Sequence, residues 1–313
     1  MIVILSFVLV GGFQIIGKLY MRNFIAKQTS EFEFESQQVL DQLSQMLYYR
    51  IPLSTIGYDS NDTHNFKYIG DITNEDTNYT VLEWIGFVND AMKERNLSGF
   101  IDMDASNKDT KTIVCKDFNY SFTKYVVNNK FGIDKELNES VAIVFAGSFD
   151  RGEENVLSNG EYNNSFGWHN HEHNAIFTFN SHTSNGNDTN LILNEKPARI
   201  YEKFYLADSA YAIVRKQELK KSDWNCSDLN YDELDENDLL LFYNYRPWIK
   251  HGSESETFCA DTQGYSSGNV TILAKNVTAF KVKKINSHLE LKITFNKQKT
   301  DINITVSKQK VAF

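Results

Sequence analysis

MIVILSFVLVGGFQIIGKLYMRNFIAKQTSEFEFESQQVLDQLSQMLYYRIP, residues 1–52, is the stretch that decides the architecture. From Met1 to Ile16 no side chain is charged. Sixteen residues at about 1.5 Å each rise roughly 24 Å, against the ~30 Å hydrocarbon core of a bilayer. The run therefore reads as a marginal membrane span. A secretory signal peptide fits less well, because no basic n-region precedes the run and no small-residue cleavage site follows it. The chain does not turn after Ile16 but continues in residues that suit a helix.

From Lys18 to Arg50 there is neither Pro nor Gly. Leu19, Phe24, Ile25, Phe32, Val39, Leu40, Leu43, Met46 and Leu47 recur mostly at intervals of three, four or seven, the period of one helix face. Lys27, Glu31, Glu33, Glu35, Gln37, Gln38, Asp41 and Gln42 fill a solvated face. Pro52 ends the helix, since the residue before a proline is pushed out of the α region. The expected anchor comprises Ile2, Val3, Ile4, Leu5, Phe7, Val8, Leu9, Val10, Phe13, Ile15 and Ile16. The residues expected to pack helix against sheet are Phe24, Ile25, Phe32, Leu40, Leu43 and Leu47.

The stretch GGFQIIGKLYMRNFIAKQTSEFEFESQQVLDQLSQMLYYRIPLSTIG resembles the first helix of prepilin-type proteins, the type IV pilins and type II secretion pseudopilins. Two later stretches, RIYEKFYLADSAYAIVRK and LAKNVTAFKVKKINSHLELKITF, resemble more weakly the sheet of the larger minor pseudopilins and minor pilins. The resemblance implies an α+β fold, with a long N-terminal helix (a membrane half and an amphipathic half) packed on an antiparallel β-rich domain. It implies a structural subunit of a pilus or pseudopilus, held in the bacterial inner membrane by a single pass with its body in the periplasm. Its partners would be other pilin or pseudopilin subunits, the assembly platform and membrane lipid. The family's leader, cleavage site and fifth-position glutamate have no counterpart here, so Met1 is expected to be internal. Three segments follow: 1–17 the anchor, 18–51 the amphipathic helix, and 52–313 the β-rich body, with 57–198 irregular or inserted.

The body reads as short strands. Val141–Phe145, Ala175–Phe179, Tyr211–Val214, Leu239–Tyr243, Val270–Leu273, Phe280–Ile285, Leu289–Phe295 and Asp301–Ser307 are apolar or alternating runs between turn-rich segments. Asn286, Ser287 and His288 mark a hairpin. Thr80 and Glu83, at capping-box spacing, predict a short helix from Val81 to about Glu94. Residues 53–79 read as a polar loop.

The composition is that of a globular protein, and a net charge of -9 argues against nucleic acid as a partner. Cys226 and Cys259 could pair in an oxidising compartment and leave Cys115 free, or all three could be buried thiols. No nucleophile elbow, phosphate loop or dinucleotide fingerprint is present, so no enzymatic activity is expected. His169, His171 and His173 would share one face of a strand, where imidazoles could hold zinc with His182 or Asp150. Such a site would make the alternative function that of a signal-anchored periplasmic binding or sensor protein, or less readily a metallo-hydrolase; the competing reading is a polar surface loop. The acidic run Asp228 to Asp238 could hold calcium outside an EF-hand, or be a solvated loop. No cofactor is assigned. The several Asn-x-Ser/Thr tripeptides are taken as chance in an Asn-rich chain.

Overall fold

A computed structural model describes residues 2–72, 79–147, 164–261, 264–285, 288–299 and 302–312. Helix α1 (Ile2–Tyr48) is continuous. Its end tightens into i,i+3 bonds, Tyr49 N to Met46 O at 3.2 Å and Arg50 N to Leu47 O at 3.3 Å. Ile51 N then donates to Ile85 O at 2.7 Å, and the chain enters a sheet before Pro52 could clash with another turn.

The strands are β1 (Ile56–Asp59), β2 (Asp62–Tyr68), β3 (Val81–Phe87), β4 (Thr112–Cys115), β5 (Ala142–Phe145), β6 (Ile176–Phe177), β7 (Phe179–Asn185) and β8 (Asp188–Leu193). They continue with β9 (Phe204–Arg215), β10 (Leu239–Tyr245), β11 (Lys250–His251), β12 (Glu254–Phe258), β13 (Tyr265–Ser267) and β14 (Asn269–Ala274). The last three are β15 (Val277–Ile285), β16 (His288–Lys299) and β17 (Ile302–Ala312). Two shorter helices are α2 (Asn89–Lys93) and α3 (Tyr120–Phe131). The central sheet runs β14-β10-β9-β3-β1-β2, with β5 and β6 added beside β9. Three smaller sheets, β11-β12-β13, β15-β16-β17 and β4-β8-β7, surround it.

Alternation along the central strands sends side chains to two cores. Leu82 and Trp84 of β3, Tyr211 and Ile213 of β9, and Leu239 and Leu241 of β10 face α1 and the β15–β17 sheet. Val81 and Ile85, Ala210, Ala212 and Val214, and Leu240 and Phe242 face the other way, toward Phe166, Trp168, Trp248 and Phe258. A third cluster lies beneath α2, α3 and the β4-β8-β7 sheet.

Several expectations are corrected. The fold was expected to be α+β with a membrane half in its helix; strand instead outweighs helix, 41% to 28%, so the body is chiefly β with one long helix. Among the described residues no helix is long and apolar enough to cross a membrane. Gln14, Lys18 and Arg22 place a polar or charged side chain on each successive turn of the helix beyond Phe13. A single-pass inner-membrane anchor is therefore withdrawn. Val81–Phe87 is a buried central strand rather than a helix, with α2 following it. The polar stretch after Pro52 forms β1 and β2, and residues 57–198 hold regular elements from β2 to β8. Asn286 and Ser287 of the expected hairpin lie outside the described residues, and His288 opens β16.

Candidate assembly surface

The two halves of α1 differ in what covers them. In the second half, Phe32, Leu40, Leu43 and Leu47 are buried with Val39, on one face of the helix. Their partners are Leu291, Ile293 and Phe295 of β16 and Ile304 and Ala312 of β17. The Phe32 and Phe295 rings lie 5.4 Å apart. Phe24 packs at the margin of this cluster, while Ile25 stays exposed. Polar clamps flank the stripe. Lys308 Nζ donates to Glu33 O at 3.4 Å, and Lys310 Nζ to Asp41 Oδ1 at 2.5 Å. The Lys310 ammonium holds the Asp41 carboxyl below its ordinary value. The lysines of the last strand thus fasten the helix at the border of its apolar contact.

The first half has no such cover. Leu9, Val10, Phe13, Ile15 and Ile16 are exposed by 53%, 55%, 71%, 61% and 63%, and Leu19 and Tyr20 are as open. The side chains of Ile2, Val3, Ile4, Leu5, Phe7 and Val8 lie outside the described residues. At 100° per residue, Gln14, Lys18 and Arg22 fall four apart on one narrow side, and the apolar residues occupy most of the remaining circumference. An apolar surface this wide exceeds the scattered exposure normal for a monomer's surface. It is also too wide to be covered by a single shallow groove.

The histidine segment is neither the strand nor the polar surface loop weighed above. Trp168–Asn170 is a single 3₁₀ turn with left-handed backbone at Gly167 (φ 81), His169 (φ 47) and Asn170 (φ 71). A Cβ on Gly167 would meet Pro247 O at 2.3 Å, so the close approach of the two loops requires glycine there. Asn170 N donates to Ser255 Oγ at 2.8 Å and Ser255 N returns a bond to Asn170 Oδ1 at 2.6 Å. The turn drives His169 into the core. Its Nε2 lies 3.0 Å from Glu83 Oε2 and its Nδ1 3.3 Å from Asp261 Oδ2. Tyr245 donates its hydroxyl to Glu83 Oε1 at 2.5 Å, and the Tyr58 ring packs 4.6 Å from the imidazole. Burial alone would push the imidazole down, but Glu83 and Asp261 outweigh it and raise it to about 9. The side chains of His169, Glu83 and Asp261 are each 1% exposed. A solute cannot reach them, so this group braces the core and has no access to a substrate.

His171 and His173 go elsewhere. His171 meets the Phe66 ring edge-on at 5.3 Å, and His173 Nδ1 lies 3.3 Å from Ile176 O. His182 stacks on Tyr120 with ring centroids 3.5 Å apart, and Asp150 lies outside the described residues. The acidic run is likewise dispersed: Asp228 accepts from Val270 N, Asp232 pairs with Lys221, and Glu236 with Lys216. Among the described residues no three His, Cys, Asp or Glu side chains are placed to hold a metal ion.

Cys226 and Cys259 form a disulfide, and Cys115 is a buried free thiol. Glu83, Asp261 and Tyr245 escaped the sequence reading. The available signal was one carboxylate inside the apolar run VLEWIGF, which in a buried strand demands a partner. Comparison with protein-family models, curated proteins and solved structures gives no match for this chain.

Proposed function

We propose that this protein is a structural subunit that assembles with other subunits through its N-terminal helix, as the resemblance to pilins and pseudopilins implies. The observation that carries the reading is the contrast within α1. One half is locked onto β16 and β17, and the other presents exposed Leu9, Val10, Phe13, Ile15 and Ile16. A helix fixed at one end to a rigid body and apolar at the other gains by burying that surface against its neighbours, at about 25 cal/mol per Å2 removed from water. Because the apolar surface wraps around most of the helix, each subunit can touch more than one neighbour, and a heterologous contact of that kind builds a filament or an open bundle.

Sedimentation of the full chain and of the double variant Phe13→Asp, Ile16→Asp tests this. The native chain is expected to associate in a concentration-dependent way, and the variant to remain monomeric with unchanged circular dichroism and an intact disulfide. A monomeric native chain, or a variant that associates as well as the native chain, would refute the proposal.

A further inference from the structure

The sequence contains eleven Asn-x-Ser/Thr tripeptides, none with proline in the middle: at Asn61, Asn78, Asn96, Asn119, Asn138, Asn163, Asn187, Asn225, Asn269, Asn276 and Asn303. Thirty-two asparagines and forty-three serines and threonines among 313 residues would give about four such tripeptides by chance. The richness of the chain in asparagine therefore does not account for them.

We infer that this protein is N-glycosylated on its body, at Asn61, Asn119, Asn187, Asn225 and Asn303. These five are exposed in the fold. Asn61 lies in the turn between β1 and β2, Asn187 at the β7–β8 turn, and Asn119 just before α3. Asn225 precedes the bonded Cys226, and Asn303 lies on the outward face of β17, beside buried Ile304. Exposure is a requirement that most asparagines meet, so the argument rests on the excess, and the disulfide supports it independently. A Cys226–Cys259 bridge belongs to an oxidising compartment outside the cytosol, which is where oligosaccharyltransferases act.

The chemistry is compatible with the folded contacts. The asparagine Nδ2 forms a bond to the anomeric carbon of a polyprenyl-pyrophosphate-linked oligosaccharide. The bond from that carbon to the phosphate oxygen breaks, the lipid pyrophosphate departs with the electron pair, and one amide proton passes to an enzyme base. Oδ1 and the second amide hydrogen survive. Asn119 Oδ1 can therefore still accept from Phe122 N at 3.0 Å and cap α3, and Asn303 Oδ1 can still accept from Asn296 Nδ2 at 2.7 Å. Helix α1 holds none of the eleven tripeptides. The glycans would cover the body and leave the apolar helix bare, whatever use is made of it.

The test is peptide mapping of the full chain purified from the cells that make it, after digestion with peptide-N-glycosidase in heavy-oxygen water. Heavy-labelled aspartate is expected at two or more of the five positions, with none in a digest lacking the enzyme. Recovery of four or all five as plain asparagine without enzyme would overturn the inference. Single variants Asn187→Gln and Asn225→Gln provide a second measurement. Each is expected to remove one step from the electrophoretic ladder produced by partial deglycosylation, and an unchanged ladder in both would count against it equally.

Discussion

Replacing His169 by asparagine removes the imidazole that lies between the buried Glu83 and Asp261 carboxylates while keeping a residue that tolerates the left-handed backbone at φ 47. The size of the effect follows from linkage. The folded imidazole titrates near 9 against 6.5 for the free side chain. At 1.36 kcal/mol per unit, a shift of this size corresponds to about 3 kcal/mol of folding stability. Breaking a buried pair by deleting one partner costs about 3–5 kcal/mol by independent reasoning, so the two figures agree. The sign follows from the direction of the shift. A group raised on folding contributes fully below pH 6.5, and its contribution is lost as pH rises through 9. The buried hydroxyls of Tyr58 and Tyr245, pushed up by desolvation and nearby carboxylates, oppose folding only above their ordinary value of 10. The buried Cys115 thiol, pushed up by desolvation from its ordinary value of 9, opposes folding only at the top of the window, so among the described residues the change between 6.5 and 9 is chiefly that of His169. Urea unfolding with the disulfide intact, followed by the fluorescence of buried Trp84, Trp168 and Trp248, reads the effect directly. The native chain is expected to lose about 3 kcal/mol between pH 6.5 and 9, and His169→Asn to be about that much less stable at pH 6.5 with a flat profile across the window. A flat native profile, or a variant within about 1 kcal/mol of native at pH 6.5, would show that the carboxylates do not depend on this imidazole.

Two further outcomes are expected. Leu43→Ala opens a cavity at a fully buried position between α1 and the β15–β17 sheet, and should cost about 2–5 kcal/mol in the same urea assay; a loss below 0.5 kcal/mol would mean that the helix docks loosely. Removing the Cys226–Cys259 bridge by the double serine variant frees a loop with sequence separation 33, for an expected loss of about 3–4 kcal/mol, and dithiothreitol should lower the native chain by a similar amount while leaving the variant unchanged.

The second half of α1 was legible because packing one helix face against a sheet imposes a period that Phe32, Leu40, Leu43 and Leu47 obey, and no breaker interrupts it before Pro52. The strands near the end of the chain were legible for the same kind of reason, since β16 alternates Leu289, Leu291, Ile293 and Phe295 inward with polar residues outward. Val81–Phe87 was misread because Thr80 and Glu83 carry the spacing of a helix start. Glu83 is polar for a different purpose, as the core partner of His169, 86 residues away. The histidine turn was misread for the complementary reason. Its asparagine neighbours suggested solvent, and only the left-handed backbone and the carboxylate of a distant strand carry His169 inside. Local pattern reports a repeating environment; a single buried ion pair depends on two sites that no local window contains.

The docking of α1 against β17 also sets a schedule. The helix is made early, yet the strand that completes its cover spans residues 302–312 and follows about 250 residues later. At the usual synthesis rate of ~5–20 residues per second, the stripe through Phe32, Leu40, Leu43 and Leu47 stays open for roughly 13–50 s. During that interval the stripe and the exposed Leu9, Val10, Phe13, Ile15 and Ile16 are both bare on one helix, and they compete for the same apolar partners. Correct folding thus depends on timing as well as fit: an apolar surface that reaches the stripe before residues 302–312 arrive can take their place.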